Sequence, residues 1–178
     1  MCKTFSGIGM KNGDLLFIPS IDSHEDYVNI FSLNDNGIVK GFVRLEYVPV
    51  KGDYSDLGQY KLTIDEENVN KIDWLTDDLK EIWINKFVCT ISKLIIEGNR
   101  YCLFDNVYIL KDKAQIQKLI NCKIVYAGSA TIENAGSATI KYAGSATIKY
   151  AGSATIENAE SATIKYAGSA TIENVKKV

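Results

Sequence analysis

Two different patterns of apolar and polar positions divide the chain. Residues 127–174 read AGSATIEN, AGSATIKY, AGSATIKY, AGSATIEN, AESATIKY and AGSATIEN, six octads in which Ala and Ile alternate with Ser, Thr and a charged residue. A fixed short period is the signature of a stacked architecture. Eight residues do not fit the helical turn, and Thr-Ile beside Ser and Gly is poor helix material, so the octads read as strands. Parity then decides how the strands connect. Ala130, Ile132 and Asn134 share one face, while Ser129, Thr131 and Glu133 share the other. Hairpins turning at Ala-Gly would set Ile opposite Thr and Ala opposite Lys or Glu, mixing apolar and polar side chains on each face. A β-solenoid gives every octad the same surroundings and keeps Ala and Ile inside. Two octads per coil predict about three coils of 16 residues, each rising about 4.7 Å. A triangular coil of 24 residues is the alternative. Taken in consecutive pairs, the octads join Glu133 with Lys141, Lys149 with Glu157 and Lys165 with Glu173, which would make each two-octad coil neutral. Residues 119–126, LINCKIVY, look like a degenerate unit with Ile124 and Tyr126 in phase.

Residues 1–118 lack this period and carry mixed strand and helix signals. Strands are predicted at 15–19, 41–50 and 59–64, rich in β-branched or aromatic residues and bounded by Gly, Asp or Pro. Within the second, Arg44 and Glu46 among Phe42, Val43, Leu45 and Tyr47 suggest one covered face and one partly wet face. Ser23-His24-Glu25-Asp26 opens a short amphipathic helix with Ser23 as N-cap. The main helix is expected from 76 to about 96, because Leu79, Ile82, Trp83, Phe87, Ile91, Leu94 and Ile95 recur at spacings of three and four. Gly98-Asn99 would stop it, 100–110 would supply a strand or hairpin, and 111–120 reads as a short helix. Gly7-Ile8-Gly9 lacks a third glycine at the dinucleotide-binding spacing and reads as a turn. The expected architecture is an α+β N-terminal domain, 1–118, followed by a short octapeptide-repeat β-solenoid, 119–178. Lys176 and Lys177 would discourage further edge pairing at its end.

Charge and composition narrow the function classes. Of the 178 residues, 1–118 carry a net charge of −4 and 119–178 a net charge of +2. Neither part has the basic excess that phosphate neutralisation requires, which argues against direct nucleic-acid binding. No apolar run approaches the ~20 residues that span a bilayer, and the first residues lack a signal-peptide core. A soluble cytoplasmic protein without a membrane partner is therefore expected. Cys2, Cys89, Cys102 and Cys122 are scattered, and His24 is the only histidine, so neither a disulfide framework, a metal site nor a cofactor site is expected. Asp65-Glu66-Glu67 lacks the calcium-loop pattern and reads as a solvated helix approach.

One constellation supports a catalytic reading. Removal of Met1 would leave Cys2 with a thiol beside a free α-amine, the arrangement of N-terminal nucleophiles. His24 could pair with Cys2 or Cys102 while Glu25 or Asp26 orients it. The structural alternative makes Cys2 a small buried residue and places His24 on a surface helical turn. The repeat also offers two readings. It is a rigid spacer or oligomerisation rod, or its outward hydroxyls, Ser129, Thr131, Ser137, Thr139, Ser145 and Thr147, form a binding ladder.

Two resemblances accompany these residues. AGSATIKY resembles the octads of bacterial ice-nucleation proteins, which use many more coils with Thr-x-Thr rows where this chain has Ser-x-Thr. The opening M-C-x-T-F-S, the S-H-E-D run at 23–26, the Phe42-Val43-Arg44-Leu45-Glu46 strand and the Trp74 segment resemble small uncharacterised proteins of bacteriophages and prophages, over roughly 2–85. That resemblance implies an accessory protein of a mobile element, acting by stoichiometric binding, for example on a CRISPR effector or a signalling nucleotide. It carries no activity and no functional residues. The expected function is thus a non-enzymatic inhibitor of host defence with a protein partner and self-association as a further property. The alternatives are a cysteine-dependent hydrolase or transferase using Cys2 and His24, and a structural solenoid scaffold.

Overall fold

The computed structural model describes residues 4–35 and 41–175; Cys2, Lys176 and Lys177 lie outside them. Its backbone contacts separate two units, residues 1–52 with 56–92, and residues 53–55 with 93–178. In the first, β1 (Ser6–Met10), β2 (Leu15–Leu16), β3 (Phe42–Pro49) and β4 (Tyr60–Ile64) form an antiparallel sheet in the order β2-β1-β3-β4. Two helices, α1 (His24–Ile30) and α2 (Asp77–Ser92), accompany it. Ser23 caps α1 by accepting from Asp26 N at 3.3 Å, and Thr76 accepts from Leu79 N at 3.3 Å at the start of α2. Helix α2 ends at Ser92, short of the expected 96, because Ile95–Ile96 leave it to become a strand.

Gly7-Ile8-Gly9 is not a turn but part of the inner strand β1. Its glycines make room for the helix: a Cβ on Gly9 would stand 2.7 Å from the Trp83 ring, and one on Gly7 3.1 Å from Phe87. Ile8 points the other way, into a cluster with Tyr27 of α1 and Phe42. The sheet is thus covered on both faces, and Glu46, expected on a partly wet face, is buried. Tyr27 fastens the chain before α1, its hydroxyl donating to Ile18 O at 3.0 Å and accepting from Ile18 N at 2.8 Å.

The second unit contains a β-solenoid of about five turns. Its strands are β5 (Ile95–Ile96), β6 (Asn99–Phe104), β7 (Val107–Leu110), β8 (Gln115–Ile120), β9 (Lys123–Tyr126) and β10 (Thr131–Asn134). They continue as β11 (Thr139–Tyr142), β12 (Thr147–Tyr150), β13 (Thr155–Asn158), β14 (Thr163–Tyr166) and β15 (Thr171–Ile172). Odd-numbered strands from β5 to β15 make one parallel sheet and even-numbered strands from β6 to β14 the other. Thr131 pairs with Thr147 and Thr139 with Thr155, so each coil of the repeat holds 16 residues and the 24-residue triangle is excluded.

Coils begin upstream of the repeat, at Ile95. The segment 111–120, expected to be helical, supplies β8 instead, and 100–110 supplies two strands in different sheets rather than a hairpin. The reason lies in the core. Ala114 and Ile116 are buried in phase with Ala130 and Ile132, so the inward Ala-x-Ile pattern extends into sequence whose Lys and Gln otherwise favour a helix.

The first four octads each turn inward two alanines and one isoleucine, as at Ala127, Ala130 and Ile132, all fully buried. At the turn, Ala127 O accepts from Ala130 N at 2.9 Å, and Gly128 has φ +55°. Turns stack directly: Ser145 N donates to Gly128 O at 2.9 Å, and a Cβ on Gly144 would come within 2.8 Å of that same oxygen. Glu160 occupies this glycine position with φ 49°, and the equivalent bond, Ser161 N to Gly144 O, lengthens to 3.1 Å. The octads' last residues, Asn or Tyr, stack in columns along each sheet. Like meets like where Tyr150 stacks on Tyr166 at 5.0 Å and Asn174 donates to Asn158 Oδ1 at 3.1 Å, whereas Asn134 is in register with Tyr150 and Tyr142 with Asn158. Outside the octads, Tyr54 stacks on Tyr142 at 5.4 Å. Lys149 pairs with Glu133 on the neighbouring coil.

Two outcomes are expected. Left-handed backbone costs a non-glycine residue about 1 kcal/mol, so Glu160→Gly should raise the urea midpoint of strand circular dichroism, whereas an unchanged or lower midpoint would contradict the strain assigned to that turn. Burial, foremost, and Asp22 push the Tyr27 hydroxyl from 10.0 up to about 12, against the lowering effect of its Ile18 bond. The folded state therefore favours the neutral phenol, and stability present below pH 10 should be lost as pH rises toward 12. The loss is on the order of 2–3 kcal/mol. Urea titrations followed by Trp83 fluorescence at rising pH should show a shallower decline for Tyr27→Phe; an identical decline would refute the assignment.

Candidate functional site

Arg44 is an unusual residue in its strand, a cation between Val43 and Leu45, which are both fully buried. Its position on β3 points it to the same face as Ile8, with which it is in register. Where β4 ends, the chain stays beside β3, since Asp65 N donates to Arg44 O at 2.9 Å. This fastens the run Asp65-Glu66-Glu67 next to the guanidinium. Arg44 Nη1 donates to Glu66 Oε1 at 3.0 Å, the same oxygen accepts from Arg44 N at 3.2 Å, and Nη2 pairs with Asp35. Burial works against the Arg44 charge, but Glu66 and Asp35 more than offset it and hold the group above the ordinary arginine range.

The chain then passes through a short 3-10 turn, Val69–Lys71, to Ile72 and Trp74. Together these segments line an open cavity of about 1000 Å³. Phe42, Ile72 and Trp74 form its apolar lining. Among the described residues, its charged lining is Asp65, Glu66, Glu67 and Asp73 against Arg44 and Lys71, an excess of two negative charges.

His24 meets this site from α1. Its ring is buried, with Nε2 3.0 Å from Leu45 O and Nδ1 3.5 Å from Asp65 Oδ2. The imidazole thus braces α1 to β3 and to a carboxylate that lines the cavity. Glu25, the neighbour expected to orient it, is exposed, and Cys2 lies outside the described residues. Of the other cysteines, Cys89 is exposed on α2, Cys102 is half-buried on β6 and Cys122 is buried between β8 and β9. Burial pushes the Cys122 thiol up, away from the reactive thiolate.

The repeat hydroxyls form two ladders rather than one. Ser129, Thr131, Ser145 and Thr147 belong to turns leading into, and strands of, the even-numbered sheet, while Ser137 and Thr139 belong to the odd-numbered one. Their serines serve the stack: Ser129 Oγ donates to Asp112 Oδ1 at 2.9 Å, Ser137 Oγ to Asn121 Oδ1 at 2.8 Å and Ser145 Oγ to Gly128 O at 3.5 Å. Thr131 and Thr147 are exposed.

Sequence reading named Arg44, Trp74 and Asp65-Glu66-Glu67 separately but did not join them. The available signal was an arginine, one of two in the chain, on a strand that is apolar apart from it and Glu46. Among the described residues, no group of three or more His, Cys, Asp and Glu converges as a metal site, and no helix is long and apolar enough to cross a membrane. No protein-family model matches the chain, nor does any curated protein or solved structure.

Proposed function

We propose that the chain is an accessory protein of a bacteriophage or other mobile element that binds a host protein stoichiometrically in the bacterial cytoplasm and blocks a defence system, such as a CRISPR effector. The observation that supports this reading is the acidic cavity beside β3, which joins an apolar lining to an excess of carboxylate charge. Such a surface suits contact with a partner better than it suits bond-breaking, because its histidine is already engaged by Leu45 O and Asp65. The solenoid contributes stiffness: its coils repeat every 16 residues with backbone bonds at each turn, giving a rigid surface for a partner or for a second copy.

The test is to express the chain at graded levels in bacteria carrying single, active defence systems and to challenge them with a phage that each system restricts. Plaquing should recover under one system in proportion to the amount of chain, with saturation near equimolar chain and target. Recovery at far below equimolar amounts would indicate turnover, and no recovery across a panel of systems would contradict the anti-defence role.

A further inference from the structure

We infer that the cavity beside β3 receives a basic side chain, arginine or lysine, presented by a segment of the bound protein. This rests on the binding reading above and gives it a chemistry. The lining already holds one guanidinium of its own: Arg44 lies between Asp35 and Glu66, with Phe42 in the same wall. Two carboxylates are engaged by that cation and Asp65 faces His24. Glu67 and Asp73 line the cavity and are exposed, and among the described residues Lys71 is the one further base in the lining. An incoming cation therefore meets uncompensated negative charge, whereas a phosphate or a carboxylate would be repelled.

Trp74 supplies the second half of the recognition. It is half-buried in the lining beside Ile72, and an indole is the aromatic group that attracts ammonium and guanidinium ions most strongly. The methylene stem of a lysine or arginine would lie against the apolar wall while its head reaches Glu67 and Asp73. The volume, about 1000 Å³, exceeds what one side chain fills, which fits a short segment rather than a free amino acid. The net charge of −4 over residues 1–118 would also draw a basic segment in at low salt.

Trp74 is its own reporter, since the other tryptophan, Trp83, is fully buried. The full chain is titrated with a capped triarginine peptide, a capped trilysine peptide and a capped triglutamate peptide, with fluorescence as readout and Trp74→Phe as the blank. The expected result is a saturable change with the basic peptides only, weakened at least tenfold in Glu67→Gln/Asp73→Asn and by added salt, and unchanged in the solenoid control Glu157→Gln/Glu173→Gln. Absence of saturation, equal response to triglutamate, or undiminished binding by the double variant would overturn the inference. The same double variant separates the two proposals. If it still protects phage, the groove is not the contact and the binding reading stands. If the parent chain does not protect, that reading fails, and the peptide titration alone decides the groove.

Discussion

The second unit depends on one contact, a serine N–H of one coil donating to the glycine carbonyl of the coil before it, at 2.9 Å for Ser145, Ser153 and Ser169. That approach leaves no space for a side chain: a Cβ at Gly136, Gly144, Gly152 or Gly168 would fall within 2.8 Å of a carbonyl oxygen below it. Glycine at these positions is thus required twice, by the left-handed backbone and by the neighbouring coil. Between the two sheets, alanine and isoleucine fill the interior. Identical residues then stack on one another, which rewards rings with flat faces and amides with paired donors and acceptors. Opposite charges at Glu133 and Lys149 fall on adjacent coils for the same reason.

Close approach through glycine organises the first unit too, in a different geometry. There Gly7 and Gly9 flatten one face of β1 so that the rings of Phe87 and Trp83 can lie on it. With α2 seated on that face, α1 covers Ile8 from the other side, and His24 ties its first turn to β3 and Asp65. The cavity follows from this arrangement. Asp65-Glu66-Glu67 must leave the sheet beside Arg44, whose guanidinium holds both Glu66 and Asp35.

Regular features were legible in the amino-acid sequence and relational ones were not. Alternation within the octad, read with the mixed faces a hairpin would produce, was enough for a solenoid and its inward Ala and Ile. The cap at Ser23 was legible because a cap is a local hydrogen bond. Strand β8 was misread because its polar Lys and Gln dominate local propensity, while burial of Ala114 and Ile116 is decided by the next coil. Gly7-Ile8-Gly9 was misread because the need for glycine there comes from Trp83, more than seventy positions away. The cavity joins Arg44 to Glu66 across 22 positions, a pairing that no spacing rule encodes.

The central structural claim, a 16-residue coil stacked through its turns, is tested most directly by spin labels on exposed threonines. In a chain with its native cysteines replaced by alanine, labels at Thr131→Cys and Thr147→Cys should sit on adjacent strands of one sheet, about 5 Å apart at the backbone, and show strong dipolar broadening. Labels at Thr131→Cys and Thr139→Cys belong to different sheets and point away from each other across about 10 Å of core, so they should show little. Strong broadening for the second pair and little for the first would contradict the coil and everything derived from it.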